Sequence, residues 1–301
     1  MTIILAMLLD AIFGEPKAIW TRIPHPAILM GRCVSFIDRT LNHGPMRRDM
    51  GIAGMAGLVI AFALMGYLLE QFIGWPAQVI VGAILLAQKS LVDHVRAVSV
   101  GLRQTLADGR FAVSMIVGRD TDAMDQPAVA RAAIESAAEN FSDGVIAPLF
   151  WFLVGGLPGL MVYKITNTAD SMIGYKTEKY IEFGWAAARF DDLLNLIPAR
   201  LTALLFILPY PRLWHFKPIY ADAIKHRSPN AGWPEAALSR VLNVALSGPR
   251  PYHGQMQNYD WVNDGARTAL TAKDIDAAIV QLWRAWSIAL IMILLIVFIC
   301  G

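Results

Sequence analysis

Six stretches of mostly apolar residues alternate with polar segments along the chain. A straight membrane-spanning helix needs about 20 apolar residues, and the stretch 51–73 reaches that length with no charge before Glu70. The stretch 285–300 contains no charged residue and is typical of a C-terminal anchor. The pattern predicts an all-α, polytopic integral membrane protein with several transmembrane helices, folded as one membrane-embedded domain over residues 1–301. The expected apolar segments are approximately 1–14, 51–73, 76–91, 145–165, 197–208 and 285–300.

The polar segments between these stretches are long enough to contain helices of their own. Apolar residues recur at helical spacing in 92–106 and 127–140. Thr271 and Asp274 have the spacing of a capping box, which opens a helix. That helix is expected to run into the C-terminal anchor, so the connections are predicted to be large and helical.

One sequence feature decides which side of the membrane residues 166–196 reach. Arginine is frequent in 15–49 and 93–143, and basic residues favour the cytoplasmic side. The stretch 145–165 is interrupted by Gly-Gly-Leu-Pro-Gly at 155–159. If 145–165 crosses completely, 166–196 lies outside, whereas a bend or re-entrant path leaves it cytoplasmic. Because 166–196 is rich in polar side chains, we expect the re-entrant path and a cytoplasmic active site at the inner cell membrane.

The bulk composition agrees with a membrane protein and excludes several other classes. The chain is 56% hydrophobic and 17% charged, whereas about a quarter of the residues in a soluble domain are charged. The net charge is only +2, without a basic tail or stripe, so no nucleic-acid partner is expected. Cys33 and Cys300 form neither a disulfide framework nor a zinc motif. The common phosphate-loop, zinc-protease and serine-hydrolase motifs are also missing, so a nucleotide site would be unconventional.

The first candidate cluster lies before the fourth apolar stretch. Arg131, Glu135 and Glu139 share one helix face because four residues separate each from the next, and Asp143 follows at the start of the apolar stretch. Carboxylates of this kind suit Mg²⁺, which prefers oxygen ligands, or a substrate amine. The alternative is an exposed ladder of ion pairs with no functional role.

The second cluster continues the same apolar stretch into a polar helix. Lys164, Asn167 and Asp170 are three residues apart and form one stripe with Ser171. Ionisable groups at membrane depth are costly and usually face a protein interior or cavity. Lys164 and Asn167 could therefore hold phosphate oxygens while Asp170 binds a metal. The alternative is a solvated helix end.

The third cluster contains two adjacent acids. Asp191 and Asp192 are followed by Asn195 one turn later, and Arg189 lies three residues before Asp192. Adjacent carboxylates repel each other unless a cation lies between them, so the pair is a candidate Mg²⁺ site. The alternative is an acid pair at a helix N-terminus, where the helix dipole favours it.

The fourth cluster is a basic turn. Lys225, His226 and Arg227 are consecutive and are followed by a turn that contains Asn230. Three cations and the backbone donors of the turn could hold phosphate. A solvated basic turn fits the same pattern equally well.

These motifs, taken in order, resemble one family over nearly the whole chain. The chain is similar to the adenosylcobinamide-phosphate synthases, the membrane proteins of cobalamin biosynthesis that attach the aminopropanol arm. So many ordered matches make the resemblance more specific than any single motif. The matching segments are 9–10, 14–16, 24–26, 31–32, 117–121, 133–136, 138–140, 142–144, 163–164, 167–168, 170–175, 183–187, 191–195, 198–200 and 228–235.

The resemblance implies an enzyme that forms an amide bond. A carboxylate of adenosylcobyric acid would be joined to the amine of (R)-1-amino-2-propanol or its O-phosphate. ATP as a substrate, together with Mg²⁺, is expected to activate the carboxylate as an acyl phosphate. The implied partners are the corrinoid, the amino alcohol, the lipid bilayer and other membrane enzymes of the pathway.

The four clusters supply the residues for these roles. The expected catalytic residues are Asp170, Asp191, Asp192 and Glu139. The expected metal ligands are Glu135, Glu139, Asp143, Asp170, Asp191 and Asp192. The expected substrate-binding residues are Lys164, Asn167, Arg189, Asn195, Lys225, His226, Arg227 and Asn230. Three tryptophans are candidate walls for the corrin, namely Trp151, Trp185 and Trp233. One residue from each cluster is expected to face a common cavity at the cytoplasmic surface, namely Glu139, Asp170, Asp192 and Lys225.

Two other classes of membrane protein share some of these features. An intramembrane Mg-dependent prenyltransferase would also use paired acids, but the spacing of Asn167, Asp170, Asp191 and Asp192 departs from the usual Asn-Asp-x-x-Asp form. A non-catalytic transporter would be expected to carry charges along its spans. Here the polar clusters lie in connections and at the ends of spans.

Overall fold

The computed structural model describes residues 1–252 and 255–300, apart from the side chains of residues 17, 250–252, 255, 256 and 300. Within that part of the chain, helices dominate and strands are few and short. The helices are α1 (Thr2–Phe13), α2 (Lys17–Trp20), α3 (Pro26–Leu41), α4 (Arg47–Ile73), α5 (Trp75–Leu85), α6 (Gln88–Gln104), α7 (Leu106–Ser114), α8 (Gln126–Phe141), α9 (Ala147–Ile173), α10 (Trp185–Leu194), α11 (Leu196–Ile207), α12 (Phe216–Ala223), α13 (Gly232–Leu242) and α14 (Ala272–Cys300). The strands are β1 (Leu246–Ser247), β2 (Arg250–Tyr252), β3 (Gln255–Gln257) and β4 (Trp261–Val262), paired antiparallel as β1–β4 and β2–β3.

Four helical stretches are long and apolar enough to cross a membrane. They are Arg47–Ile73, Trp75–Gln104, Gln126–Ile173 and Ala272–Ile299. The predicted segments 51–73 and 285–300 agree closely with α4 and with the second half of α14. Two shorter apolar helices, α1 and α11, match the predicted segments 1–14 and 197–208. The prediction of an all-α, polytopic membrane protein is therefore confirmed.

The predicted apolar segment 76–91 is not one continuous helix. α5 ends at Leu85, Leu86 has extended backbone with ψ 154°, and α6 begins at Gln88. The two helices pack against different neighbours, because α5 lies on α1 and α9 while α6 lies on α7, α8 and α14. The predicted segment missed this break because no glycine or proline marks it, although α6 opens with the polar residues Gln88, Lys89 and Ser90.

The fourth apolar segment bends at the glycine pair that the sequence singled out. α9 has non-helical backbone at Gly155 and Gly156, and Gly156 has φ 59° and ψ −153°. Such angles are accessible mainly to glycine. Pro158 falls in the first turn of the resumed helix, where its missing N–H is not needed. The predicted bend is confirmed, whereas the side of the membrane reached by 166–196 stays a prediction.

The chain divides into two compact units. The first contains residues 1–87 and 143–196, and the second contains residues 88–142 and 197–301. In the first unit α4 packs along α9. This approach is close enough that a Cβ on Gly66 would lie 2.7 Å from the backbone nitrogen of Pro158.

In the second unit α8 is the central helix. It packs against α6, α7, α13 and α14, and small residues make that burial possible on several faces. Ala130, Ala133 and Ala137 are fully buried, as is Ile134 between them. Whether the two units behave as one domain, as the sequence suggests, stays a prediction.

The last helix begins with the capping box that the sequence predicts. The backbone N–H of Thr271 donates to Asp274 Oδ2 at 2.7 Å, and the Thr271 hydroxyl donates to the same oxygen at 3.1 Å. α14 then continues without interruption into the apolar segment and ends at Cys300. The helix and the anchor are therefore one element.

We expect Asp274→Ala to lower the free energy of unfolding by about 1 kcal/mol, because it removes the acceptor that begins α14. Thermal unfolding of the detergent-solubilised protein measures the change. Lys273→Ala is the matched control, since Lys273 is exposed in the same turn. Equal melting temperatures for the two variants would contradict the capping role of Asp274.

Candidate functional site

In the first unit, two of the predicted polar clusters come together around Asp191. Its carboxylate is buried, with the residue 8% exposed. The side-chain amide of Asn167 on α9 donates to Oδ1 at 3.3 Å, and that of Asn195 donates to Oδ2 at 3.0 Å. Asp170 and Asp192 are close enough for their charges to act on Asp191. Residues from the stripe on α9 and the acid pair on α10 thus share one polar site.

The acid pair lies in the last turns of its helix. α10 starts at Trp185 and ends at Leu194, so the alternative of an acid pair at a helix N-terminus is wrong. A helix dipole disfavours carboxylates near the C-terminus, and other groups must compensate for their charge. The amide of Asn195 compensates Asp191 by donating a hydrogen bond to it, and the guanidinium of Arg189 compensates Asp192 from 3.6 Å away.

Burial changes the acidity of both carboxyl groups. It raises the pKa of Asp191 to about 7, and the neighbouring charge of Asp170 adds to that rise. Hydrogen bonds from Asn167 and Asn195 oppose it. Burial also raises the pKa of Asp192, against the charges of Arg189 and Lys176.

Tyr163 links the two helices from inside the unit. Its side chain is fully buried and packs with Ala147 and Leu194. The hydroxyl lies 3.1 Å from Asn195 Oδ1 and 3.0 Å from the backbone oxygen of Asp143, and it can donate to either. Tyr163 therefore fixes Asn195, which in turn holds Asp191.

Gly174 leaves room for the carboxylate of Asp170. A Cβ at Gly174 would lie 2.0 Å from Asp170 Oδ1 and 2.6 Å from its backbone oxygen. No other residue type fits there unless Asp170 moves. The glycine after α9 is thus part of the arrangement of the site.

In the second unit, Glu135 belongs to a buried network on α8. The residue is 3% exposed, forms an ion pair with Arg119, and accepts a hydrogen bond from the backbone N–H of Ser247 at 2.7 Å. Arg131 lies over the ring of Trp261 at 4.9 Å. The alternative of an exposed ion-pair ladder is therefore wrong. Glu139 lies on the exposed part of the same helix.

The basic turn of the second unit has partners within that unit. Lys225 forms an ion pair with Asp222 at 3.1 Å, and Arg227 lies over the ring of Tyr259 at 4.5 Å. His226 Nδ1 accepts from the backbone N–H of Ser228 at 3.0 Å. The same turn is tied to α11, because Arg200 donates to Asn230 Oδ1 at 2.8 Å. The turn is thus ordered by its own contacts, and a phosphate would have to share them.

The chain is similar to known proteins over most of its length. A family model described as CobD/Cbib protein matches residues 3–282. Cobalamin biosynthesis protein CobD of Rhizobium meliloti strain 1021 is 45% identical, over 95% of this chain and 93% of that protein. The chain belongs to the CobD/Cbib protein family. Proteins of the same name from Brucella suis biovar 1 and Rhodobacter capsulatus are each 47% identical, over 94% and 87% of this chain and 92% and 86% of theirs. No solved structure matches the chain.

For this member of the CobD/Cbib family, the structure adds Asp10, Glu15 and His25, which belong to none of the four clusters. The carboxylates of Asp143, Glu15 and Asp10 interact electrostatically with Lys164. Asp10 is 2% exposed although it lies in the apolar helix α1. A single acid within an apolar stretch was the sequence feature that could have identified it. Lys164 therefore has acidic neighbours in the first unit, which compete with the phosphate role predicted for it.

His25 is another neighbour of Lys164 outside the four clusters. Its Nδ1 accepts from the backbone N–H of Ala27 at 3.2 Å and so caps α3. Burial lowers the pKa of His25, the charge of Lys164 acts in the same direction, and Glu15 opposes both. His25, which lies between Pro24 and Pro26, thus has a structural role at Nδ1. Its ring also lies close enough to Lys164 for the two charges to interact.

The three tryptophans predicted as corrin walls differ in exposure. Trp151 donates from Nε1 to the backbone oxygen of Leu194 at 3.0 Å and is partly buried. Trp233 is 9% exposed and lies beneath Arg200. Trp185 is 38% exposed, with the guanidinium of Arg48 over its ring at 4.1 Å. Trp185 has the most surface left for a large ligand.

The predicted site residues fall in both units of this family member. The first unit holds Asp143, Lys164, Asn167, Asp170, Arg189, Asp191, Asp192 and Asn195, and the second holds Glu135, Glu139, Lys225, His226, Arg227 and Asn230. Their convergence on one cavity stays a prediction. Among the residues that the structure describes, no group of three or more His, Cys, Asp or Glu side chains is arranged to hold a metal ion. The assignment of metal ligands likewise stays a prediction.

We expect Asp191→Asn to stabilise the metal-free protein at high pH. An unfolded aspartate has a pKa of about 3.9, so folded Asp191, with its pKa of about 7, retains a proton that the unfolded chain releases. The group therefore destabilises the fold progressively as pH rises from about 4 to 7. Melting temperatures in EDTA should show an advantage of the variant that grows between pH 5 and pH 8, by about 2–4 °C for each kcal/mol.

Asp122→Asn is the control for this prediction, since Asp122 is exposed. Its melting temperature should follow that of the wild-type protein at every pH. An advantage of Asp191→Asn that is the same at pH 5 and pH 8 would show that Asp191 ionises normally.

Proposed function

We propose that the protein is an ATP- and Mg²⁺-dependent ligase of cobalamin biosynthesis. It would join a carboxylate of adenosylcobyric acid to the amine of (R)-1-amino-2-propanol or its O-phosphate. The observation that carries the proposal is buried Asp191, which accepts hydrogen bonds from the amides of Asn167 and Asn195 and has the charges of Asp170 and Asp192 close by. The relatives named for cobalamin biosynthesis supply the pathway.

The reaction needs activation because a carboxylate carbon is a poor electrophile. In the first step a carboxylate oxygen of the corrinoid bonds to the γ-phosphorus of ATP, and ADP leaves. In the second step the amine nitrogen bonds to the acyl carbon, inorganic phosphate leaves, and the amine releases a proton to a base. ATP is thus converted to ADP and phosphate for each amide formed.

Asn167 and Asn195 direct N–H groups toward Asp191, so the ligands that the site could offer are carboxylate oxygens, the hard type that Mg²⁺ prefers. Asp170, Asp191 and Asp192 are the residues that would hold it. When bound, Mg²⁺ would neutralise charge on the transferred phosphoryl group. A cation at this position would also relieve the repulsion among the three acids and lower the cost of ionising Asp191.

Other groups of the first unit fit the remaining requirements. Arg189 keeps 65% of its side chain exposed while it pairs loosely with Asp192, so its guanidinium can turn toward a phosphate. Trp185 offers an aromatic face for part of the corrin. Among the predicted residues of the second unit, exposed Glu139 suits a substrate ammonium. Family membership does not favour the prenyltransferase or the transporter.

A reconstituted assay tests the proposal directly. Purified protein should convert adenosylcobyric acid, ATP-Mg²⁺ and either aminopropanol or its O-phosphate into the corresponding amide, as identified by mass spectrometry. ADP and inorganic phosphate should each appear in equal amount to the product. Amide formation without ATP, or no product with either amine, would refute the proposed ligation.

Substitution of the acid pair tests the role of the site. Asp191→Asn and Asp192→Asn keep the size of the side chain and remove one charge each. One preorganised electrostatic group is commonly worth about 3 kcal/mol, so kcat should fall on the order of 10²-fold in each variant. Binding of the corrinoid, measured by calorimetry, should change little. Near-normal turnover combined with a large loss of stability would identify the pair as purely structural.

A further inference from the structure

The single charge in the apolar part of α4, residues 51–73, contacts the broken helix α9. Glu70 Oε1 accepts a hydrogen bond from the backbone N–H of Leu157 at 2.7 Å, directly after the break at Gly155–Gly156. The side-chain amide of Gln78 on α5 donates to the same oxygen at 3.1 Å. All of these residues belong to the first unit. Glu70 thus joins three helices at the point where α9 resumes.

The break creates the need for this carboxylate. A helix that restarts has N–H groups without acceptors in its first turn, and lipid offers no water to replace them. The same end carries the positive pole of the helix dipole, which favours a negative group. The carboxylate of Glu70 accepts from one of these N–H groups, that of Leu157, and places a negative charge at the start of the resumed helix.

The glycines around Glu70 are fitted to this contact. A Cβ at Gly156 would lie 2.5 Å from Glu70 Oε1, and one at Gly66 would lie 2.7 Å from the nitrogen of Pro158. Gly66 and Glu70 are four residues apart, so both lie on the same face of α4. The backbone of α9 at Pro158 therefore packs against the backbone of α4 at Gly66. The carboxylate of Glu70 contacts the start of the resumed helix at Leu157.

The resumed helix carries the polar stripe of the site. Residues 157–173 include Asn167, which donates to Asp191, and Asp170, whose charge acts on it. An α-helix rises 1.5 Å per residue and moves as a rigid rod. A shift or rotation at Leu157 is therefore transmitted to Asn167 and Asp170 about 15–20 Å away.

We propose that Glu70 is a positioning residue for the site around Asp191. Its carboxylate fixes the height and rotation of the resumed half of α9, and so places Asn167 and Asp170 against α10. The inference rests on the proposed ligation for its kinetic readout. It does not depend on that ligation for the contact between Glu70 and Leu157.

Three substitutions of Glu70 separate positioning from charge. Glu70→Leu removes the acceptor, Glu70→Asp keeps the charge but shortens the reach, and Glu70→Gln keeps an oxygen at the same distance. A misplacement of about 1 Å can cost 10²-fold in rate, so kcat should fall on that order in Glu70→Leu and about tenfold in Glu70→Asp. Glu70→Gln should stay within about threefold of the wild type, since a neutral oxygen still accepts from Leu157. KM for ATP and for the corrinoid should change less than kcat.

Gln71→Leu is the matched control, because Gln71 is the exposed neighbour of Glu70 on the same helix. Hydrogen exchange, followed by mass spectrometry of peptides covering 155–165, gives a readout that needs no catalysis. Glu70→Leu and Glu70→Asp should exchange faster there than the wild type, whereas Glu70→Gln and Gln71→Leu should not.

Two results would overturn the proposal. In the first, Glu70→Leu has the same hydrogen-exchange rate and the same kcat as Gln71→Leu. That result would show that the contact between Glu70 and Leu157 does not position α9. The other is a Glu70→Gln enzyme as slow as Glu70→Leu but with wild-type exchange, which would make the charge itself the requirement. If the wild-type protein forms no amide at all, the ligation fails, and the exchange comparison alone decides whether Glu70 anchors α9.

Discussion

The first unit depends on one constraint, namely that backbone hydrogen bonds inside a bilayer must be satisfied by the protein itself. α9 interrupts its own hydrogen-bonding pattern at Gly155–Gly156, and the acceptor comes from α4 through Glu70. That contact lets one helix change direction without exposing its backbone. The polar stripe beyond the break can then follow a different path from the apolar half before it, and it meets α10 at Asp191.

The helical class and most span positions could be predicted because lipid imposes a simple rule on long apolar runs. The bend at 155–159 was also predictable, since glycine and proline act locally. The break at Leu86 was not, because no glycine or proline lies there and the two helices differ in their packing partners. The position of Asp191 within α10 was also missed. That helix begins only at Trp185, after a turn where a Cβ on Gly184 would lie 1.7 Å from the backbone oxygen of Ile173.

The site was predictable within each helix and not between helices. Spacing alone placed Asn167 with Asp170 and Asp191 with Asn195, because neighbours three or four apart share a helix face. The bond from Asn167 to Asp191 joins residues 24 positions apart, and no periodicity encodes such a distance. The ion pair between Arg119 and Glu135 illustrates the same limit, since Glu135 lies on α8 and Arg119 lies outside that helix. Solitary acids in apolar runs, such as Glu70 and Asp10, belonged to none of the four clusters.

The hydroxyl of Tyr163 can exchange one hydrogen-bond acceptor for another within the network around Asp191. The hydroxyl has one hydrogen and two acceptors at nearly equal distance, the backbone oxygen of Asp143 at 3.0 Å and Asn195 Oδ1 at 3.1 Å. Rotation about the C–O bond exchanges these partners without moving any heavy atom. When the hydroxyl turns to Asp143, the phenol oxygen directs its lone pairs elsewhere and Asn195 loses a donor. The hydroxyl dipole of Tyr163 can therefore reorient inside the buried site while the packing around it stays fixed.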